Sequence, residues 1–166
     1  MGGADYASAS PTASSPHLRS LPARQSVYDA AGVEQSRTTF EYDNYAPDTN
    51  HAAPLARANI TGLCTTFDAA GACANANPPA YLTRGNVTGT TSYLLTNGTI
   101  TGSVSAFSQY DVAGNVVKSI DARGKVSQMG YADAYSDGVA RHTYALPTSA
   151  TSPVPDPSGL HGSTSA

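Results

Sequence analysis

The chain has 166 residues, a formal net charge of −3 and 13% charged side chains. This length suits one domain or a section of a longer protein, and the weak charge excludes a strongly basic surface for nucleic acid or for membrane lipids. Only 25 residues are Leu, Ile, Val or Phe, which is few for a self-contained core. Ten tyrosines supply apolar area of another kind. The composition therefore predicts a thin β-layer.

Both ends of the chain are predicted to lie outside the folded region. Residues 1–25 are rich in Ala, Ser and Pro, which is typical of a linker to an upstream module or of a disordered tail. They lack the positive start and apolar run of a signal peptide, and no run in the sequence reaches transmembrane length. Residues 147–166 are rich in Pro, Ser, Gly and Thr and are predicted to be a second linker or tail.

Residues 26–146 are predicted to form antiparallel β-hairpins. Residues 26–43 make the first hairpin, in which neither strand face is strongly apolar. The clearest hairpin signal is Asn97-Gly98, which joins two runs rich in Thr, Tyr and Leu. Asn-Gly supplies the positive φ that both central positions of a type I′ turn require.

A β-meander is predicted over residues 105–131. Three short strand-like segments, residues 105–110, 115–120 and 125–131, are separated by two turns of the form Asp-x-x-Gly. Asp at the first position of a β-turn can accept hydrogen bonds from backbone N–H groups further on, and Gly at the fourth position can take a positive φ. The two turns therefore define where the strands begin and end.

The same turn signal occurs four times along the chain, and such recurrence indicates a repeat architecture. Each copy has an aromatic or aliphatic residue, then Asp, two variable residues and Gly. The fixed distance from Asp to Gly favours a turn function for the four Asp residues over acid–base or calcium chemistry. The copies are Tyr28, Asp29 and Gly32; Phe67, Asp68 and Gly71; Tyr110, Asp111 and Gly114; and Ile120, Asp121 and Gly124.

These motifs resemble those of the YD-repeat, or RHS-repeat, family. The resemblance is strongest over residues 110–133, where Tyr-Asp-x-x-Gly-Asn-Val leads to Asp-x-x-Gly and then to Gly-Tyr-Ala-Asp. It is looser over residues 28–43 and 82–87, and the first two copies lack the Asn after Gly. The resemblance implies an all-β fold of antiparallel hairpin repeats, forming one section of a β-spiral shell. It also implies that the partners are flanking repeats of the same polypeptide.

Cys64 and Cys73 flank the turn at Asp68 and form a candidate disulfide. In an oxidising compartment the two thiols could be bridged, whereas in a reducing one they would be two small, buried or half-buried side chains. A Cys-x8-Cys pair without further Cys or His nearby is a poor zinc pattern. No metal site is therefore predicted.

The sequence does not predict an enzyme. Its histidines are scattered, and Gly-x-Ser-x-Gly, His-Glu-x-x-His and P-loop motifs are absent. We therefore expect no catalytic residues and no cofactor. The histidines are His17, His51, His142 and His161.

Two functions from different classes remain. The resemblance implies a structural segment of a shell that encloses or presents a C-terminal effector, often a polymorphic toxin, in a larger exported or cell-surface protein. The alternative is a module that binds carbohydrate or another cell-surface ligand through stacked tyrosine rings. Cross-strand packing is the competing explanation for these tyrosines, and we favour it. No nucleic-acid partner or membrane insertion is expected. The tyrosines are Tyr28, Tyr42, Tyr110 and Tyr131.

Overall fold

A computed structural model describes residues 5–7, 20–57, 60, 84–133 and 135–153. All regular structure in these ranges is β-strand, so the expectation of an all-β fold is confirmed. Across the same ranges there is no helix of the length and apolarity that crossing a membrane requires. The strands are β1 (Asp5–Ala7), β2 (Leu21–Tyr28), β3 (Glu34–Tyr42), β4 (Val87–Thr96), β5 (Thr99–Tyr110), β6 (Val116–Ile120), β7 (Val126–Gly130) and β8 (Ser149–Thr151).

The eight strands form one sheet in which each strand pairs antiparallel with the next strand along the chain. The longest pairing joins β4 to β5 and runs from Gly89 opposite Phe107 to Thr96 opposite Thr99. Thr and aromatic residues are frequent in these strands and suit a pleated, half-buried surface. The predicted antiparallel hairpins are therefore joined into a simple meander.

The sheet extends past both boundaries that the sequence predicts for the folded region. β1 and the first residues of β2 lie within the predicted tail of residues 1–25, and β8 lies within the predicted tail of residues 147–166. All three side chains of β8 are exposed. Backbone hydrogen bonds to the neighbouring strand hold such a segment, so no apolar pattern marks it in the sequence.

The connections give the sheet two different ends, because successive antiparallel strands run in opposite directions. The short-turn end carries three tight turns, at residues 29–32, 97–98 and 121–124. The long-loop end carries the connection from β3 to β4, the turn between β5 and β6, and the connection from β7 to β8. These three connections comprise residues 43–86, 111–115 and 131–148.

The two faces of the sheet also differ. Phe107 lies on the face that the loop of residues 44–57 covers, where its ring makes an edge-on contact with His51. Leu94 and Val104 point to the opposite face, since side chains alternate along a strand. These two side chains are 65% and 58% exposed. One face is thus partly covered by the chain itself, while the other presents apolar groups to solvent.

Few side chains in the described ranges are buried. Ile60, Ile120 and Tyr131 are the buried apolar residues there. Thr88 and Asp111 are the most completely buried side chains, and both are polar. The interior at the long-loop end is therefore organised by hydrogen bonds as much as by apolar packing.

Candidate functional site

Three Asp-x-x-Gly turns share one hydrogen-bond pattern. In each turn, Oδ1 of the Asp accepts bonds from the backbone N–H groups two and four residues further on, at 2.8–3.0 Å. The Gly N–H donates to the Asp carbonyl oxygen at 2.9–3.0 Å, and the Gly has a φ between 74° and 89°. This geometry accounts for both fixed residues of the motif. The turns begin at Asp29, Asp111 and Asp121.

The turns at the short-turn end are exposed, and their carboxylates are held in the ionised form. The backbone N–H of Val33 is the largest cause that lowers the pKa of Asp29. The N–H of Lys125 is likewise the largest cause that lowers the pKa of Asp121. A hydrogen bond donated to a carboxylate favours its charged form, which is the direction seen in both turns.

The third turn is the centre of a polar cluster around a buried carboxylate, which we name the Asp111 cluster: Asp111, Arg57, Asn115 and Tyr144. The Asp111 side chain is 0% exposed. Its Oδ2 accepts bonds from Nε of Arg57 at 3.0 Å and from Nδ2 of Asn115 at 3.1 Å. Asn115 Nδ2 also donates to the carbonyl oxygen of Tyr144 at 2.9 Å, and the Arg57 guanidinium lies 5.0 Å from the Tyr144 ring centroid.

Backbone pairing supports this cluster. Leu55 N–H donates to the carbonyl oxygen of Tyr110 at 2.8 Å, and Val112 N–H donates to the carbonyl oxygen of Leu55 at 3.0 Å. These bonds make a parallel bridge between Leu55 and Asp111. The loop after β3, the turn after β5 and the loop after β7 therefore meet at one carboxylate.

The register of pairing shifts beside three Tyr-Asp pairs. Tyr28, Tyr42 and Tyr110 each end a strand, and at each of them one residue of the following strand is skipped. Such a bulge bends the strand and increases its twist. The skipped residues are Gln35, Thr88 and Val117.

Two of these tyrosines also make the same tertiary contact. The hydroxyl of Tyr42 donates to the carbonyl oxygen of Pro22 at 2.8 Å, and that of Tyr110 donates to the carbonyl oxygen of Val87 at 2.7 Å. In both cases the acceptor lies near the start of the preceding strand. Desolvation raises the pKa of both phenols. These rings therefore tie each hairpin together at the long-loop end.

The other two tyrosines considered for glycan stacking differ from each other. Tyr131 is 9% exposed, and its hydroxyl lies 3.7 Å from Sδ of Met129. Tyr28 is 39% exposed. Because three of the four rings are half-buried or buried, they do not form one open aromatic platform of the kind that stacks on sugars.

Two further aspartates bind the returning chain, although no Asp-x-x-Gly motif marks them. Asp43 accepts bonds from the backbone N–H groups of residues 84–86 at 2.6–3.0 Å. Asp133 accepts bonds from the backbone N–H groups of Arg141, Thr143 and Tyr144 at 2.7–3.3 Å. Both follow a tyrosine near the end of a strand, and this Tyr-Asp or Tyr-x-Asp spacing is the signal that could have found them.

The remaining predicted residues have mixed outcomes. Asn97 and Gly98 have φ values of 51° and 75°, as a type I′ turn requires. The turn of Phe67, Asp68 and Gly71 and the candidate disulfide of Cys64 and Cys73 lie outside the described residues. Within the described ranges, no cluster of three or more His, Cys, Asp and Glu side chains is arranged to hold a metal ion.

The fold and the turns define an all-β antiparallel meander whose long-loop end is fastened by aspartates. Comparison with protein-family models, with curated proteins and with solved structures finds no match to this chain. The resemblance to YD-repeat proteins therefore depends on the motifs of this chain alone, and the function that it implies is a proposal.

Proposed function

We propose that this chain is a non-catalytic structural segment of an RHS-type β-repeat shell. In this proposal, the shell encloses or presents a C-terminal effector in a larger exported or cell-surface protein. The observation that carries the proposal is that two features recur together at Tyr28-Asp29, Tyr42-Asp43 and Tyr110-Asp111. Each Tyr lies at a bulge, and each Asp binds backbone N–H groups of the returning chain. If each repeat contains the same strand bulge, stacked repeats would curve in the same direction and form a long curved wall.

The exposed face and edges of the sheet support the proposal that this segment packs against neighbouring repeats. Leu94 and Val104 are exposed on one face, and few apolar side chains are buried in the described ranges. β1 and β8 are the edge strands of the described sheet. Stacked repeats bury such faces and extend such edges, which is how repeat proteins gain stability that one unit lacks.

The polar groups at the long-loop end support a structural rather than a catalytic function. Asp111 is buried and accepts hydrogen bonds from the Arg57 guanidinium and the Asn115 side-chain amide. Asp43 and Asp133 accept hydrogen bonds from backbone N–H groups. A catalytic carboxylate must line a pocket within hydrogen-bond reach of the substrate. We expect no turnover on a broad panel of hydrolase, transferase and redox substrates. Turnover that disappears in Asp111→Asn while the fold persists would contradict this expectation.

Glycan binding is the alternative function, and the tyrosine contacts support it less well. Tyr131→Ala should cost about 3–5 kcal/mol of unfolding free energy because the ring is buried, whereas Tyr28→Ala should cost much less because that ring is half-exposed. We expect no selective binding on a glycan array. Selective binding that Tyr110→Ala abolishes without unfolding the chain would favour the binding module instead.

The direct test is to examine the longer protein that the flanking coding sequence specifies. The open reading frame on both sides should encode further Tyr-Asp repeats, and electron microscopy of that longer protein should show a hollow β-shell containing this segment. Urea melts should show that flanking repeats stabilise it. A chain that unfolds alone as a monomer in one cooperative transition, with several kcal/mol of stability, and that gains nothing from its neighbours would contradict the proposal.

A further inference from the structure

The loop of residues 44–57 contacts the sheet through a buried histidine, in addition to Leu55 and Arg57. His51 is 8% exposed, and its ring meets the ring of Phe107 edge-on with a centroid distance of 5.2 Å. Beside it, Nε2 of Gln109 donates to the carbonyl oxygen of Asn50 at 3.1 Å. The imidazole therefore lies at the contact between this loop and β5.

Both ring nitrogens of His51 face carboxylates. Nδ1 lies 2.9 Å from both carboxylate oxygens of Asp48, and Nε2 lies 2.7 Å from Oε2 of Glu41. An ionised carboxylate can only accept hydrogen bonds, so each nitrogen must carry a hydrogen to make its bond. Only the imidazolium has both hydrogens. The geometry is therefore that of a protonated histidine between two acids.

Gly89 leaves room for this arrangement. It pairs with Glu41 across β3 and β4, and a Cβ built at position 89 would lie 2.7 Å from Oε2 of Glu41. The Glu41 side chain can thus lie across β4 and reach the histidine. β4 also carries no charged side chain that could compete for the ring.

The charged groups around the ring all favour its protonated form. Glu41 faces it from β3 and Asp48 from its own loop, while β4 contributes Gly89 and β5 contributes Phe107, which carries no charge. Burial lowers the pKa of His51, but the hydrogen bonds to the two carboxylates outweigh that effect and raise it above its ordinary value. In return, the bond from His51 lowers the pKa of Asp48.

The fastened loop also forms one wall of a groove. Ala52, Ala53 and Leu55 line one side of a space of about 410 Å³. Lys118 and Gln128, which are neighbours on β6 and β7, line the sheet side. The shape of this groove therefore depends on where residues 44–57 lie.

We propose that His51 is a pH-sensitive latch: when protonated it adds to the attachment of residues 44–57 to the sheet, and when it loses its proton that attachment weakens to the Leu55 bridge and the Arg57–Asp111 pair. A neutral imidazole must present a lone pair to Glu41 or to Asp48, so one of the two contacts becomes repulsive. Because the folded pKa is raised, the stabilisation is complete below the ordinary histidine pKa and is lost as the pH rises through the folded value. The weaker attachment lets Ala52 and Ala53 move away from the groove. This inference does not depend on the shell function.

The test is a pH titration of the whole chain by nuclear magnetic resonance. His51 should titrate above the ordinary value, and the Leu55 N–H, which donates to Tyr110, should lose protection from hydrogen exchange over the same range, after correction for the intrinsic rate. Backbone N–H groups that bond within the β4–β5 pairing should keep their protection throughout. Glu41→Gln should shift the His51 midpoint downwards, and His142→Gln should leave it unchanged.

Three results would overturn the latch. One is a His51 midpoint at or below the ordinary histidine value in the wild-type chain. Another is Leu55 protection that is equal on both sides of the titration. His51→Gln should remove the pH dependence of Leu55 protection, and a variant that keeps it would also contradict the proposal. If that variant does not fold, the wild-type titration still decides.

Discussion

The turns that begin at Asp111 and Asp121 have the same backbone geometry and opposite surroundings. Each Oδ1 accepts two backbone bonds, and each turn ends in a Gly with positive φ. Asp121 is exposed at the short-turn end, whereas Asp111 is buried and its Oδ2 binds Arg57 and Asn115. The comparison teaches that one carboxylate oxygen can form the turn while the other fastens distant segments.

The largest effect is expected from removing the buried carboxylate. Asp111→Ala leaves the Arg57 guanidinium, which is 15% exposed, without its buried acid, and breaking a buried ion pair costs about 3–5 kcal/mol. Urea unfolding should show this loss. The matched control is Asp121→Ala, which removes the same two turn bonds without a buried cation. Equal losses for the two variants would show that the Arg57 contact contributes nothing.

The second-largest loss of stability is expected at Asn115, and it should differ from the loss at Lys125, the residue in the same position after the Gly of the other turn. Asn115→Ala removes bonds to the Asp111 carboxylate and to the Tyr144 carbonyl, and a bond to a charged group is worth about 1.5–3 kcal/mol. Lys125 has the same position in the Asp121 turn and is exposed, so Lys125→Ala should stay within about 0.5 kcal/mol of the wild type. Urea melts of both variants measure the difference. A large effect of Lys125→Ala would contradict this reading.

Local features of the fold could be predicted from the sequence because they depend on neighbouring residues. Asp and Gly three positions apart encode the turns at Asp29, Asp111 and Asp121, and Asn97-Gly98 encodes a tight hairpin. Strand character between such turns was sufficient for the all-β antiparallel fold. β8 was missed because exposed edge strands carry no apolar pattern.

The long-loop end could not be predicted, since its contacts join residues far apart in the chain. Arg57 is 54 positions from Asp111, and Asp43 binds backbone N–H groups more than 40 positions away. Nothing in the local sequence of His51 indicates Glu41 as its partner, because that contact forms only when the loop folds back over β3. The turn motif identified Asp111 but not the use of its second oxygen.

A third, smaller effect is expected at the tyrosine hydroxyls of the long-loop end. Tyr110→Phe and Tyr42→Phe each remove one hydrogen bond to a backbone carbonyl and keep the ring, so each should cost about 1 kcal/mol. Tyr28→Phe is the control at the short-turn end, where the ring is half-exposed. Equal losses of unfolding free energy at positions 42 and 110 would support the view that the two hydroxyls hold their hairpins in the same way. A loss at only one of them would show that the two tyrosines are not equivalent.

The smallest effect is expected at the exposed turn itself. Asp121→Ala removes two bonds from Oδ1 to backbone N–H groups that solvent can replace, so we expect Tm to fall by only about 1–2 °C at neutral pH. The folded pKa of Asp121 is lowered from 3.8, chiefly by the Lys125 N–H. Its contribution is therefore present above that value and is lost as the pH falls through the lowered one. Thermal melts of both proteins should thus converge in acid, and a Tm difference that persists below the folded pKa would show that the charge of Asp121 does not hold the turn.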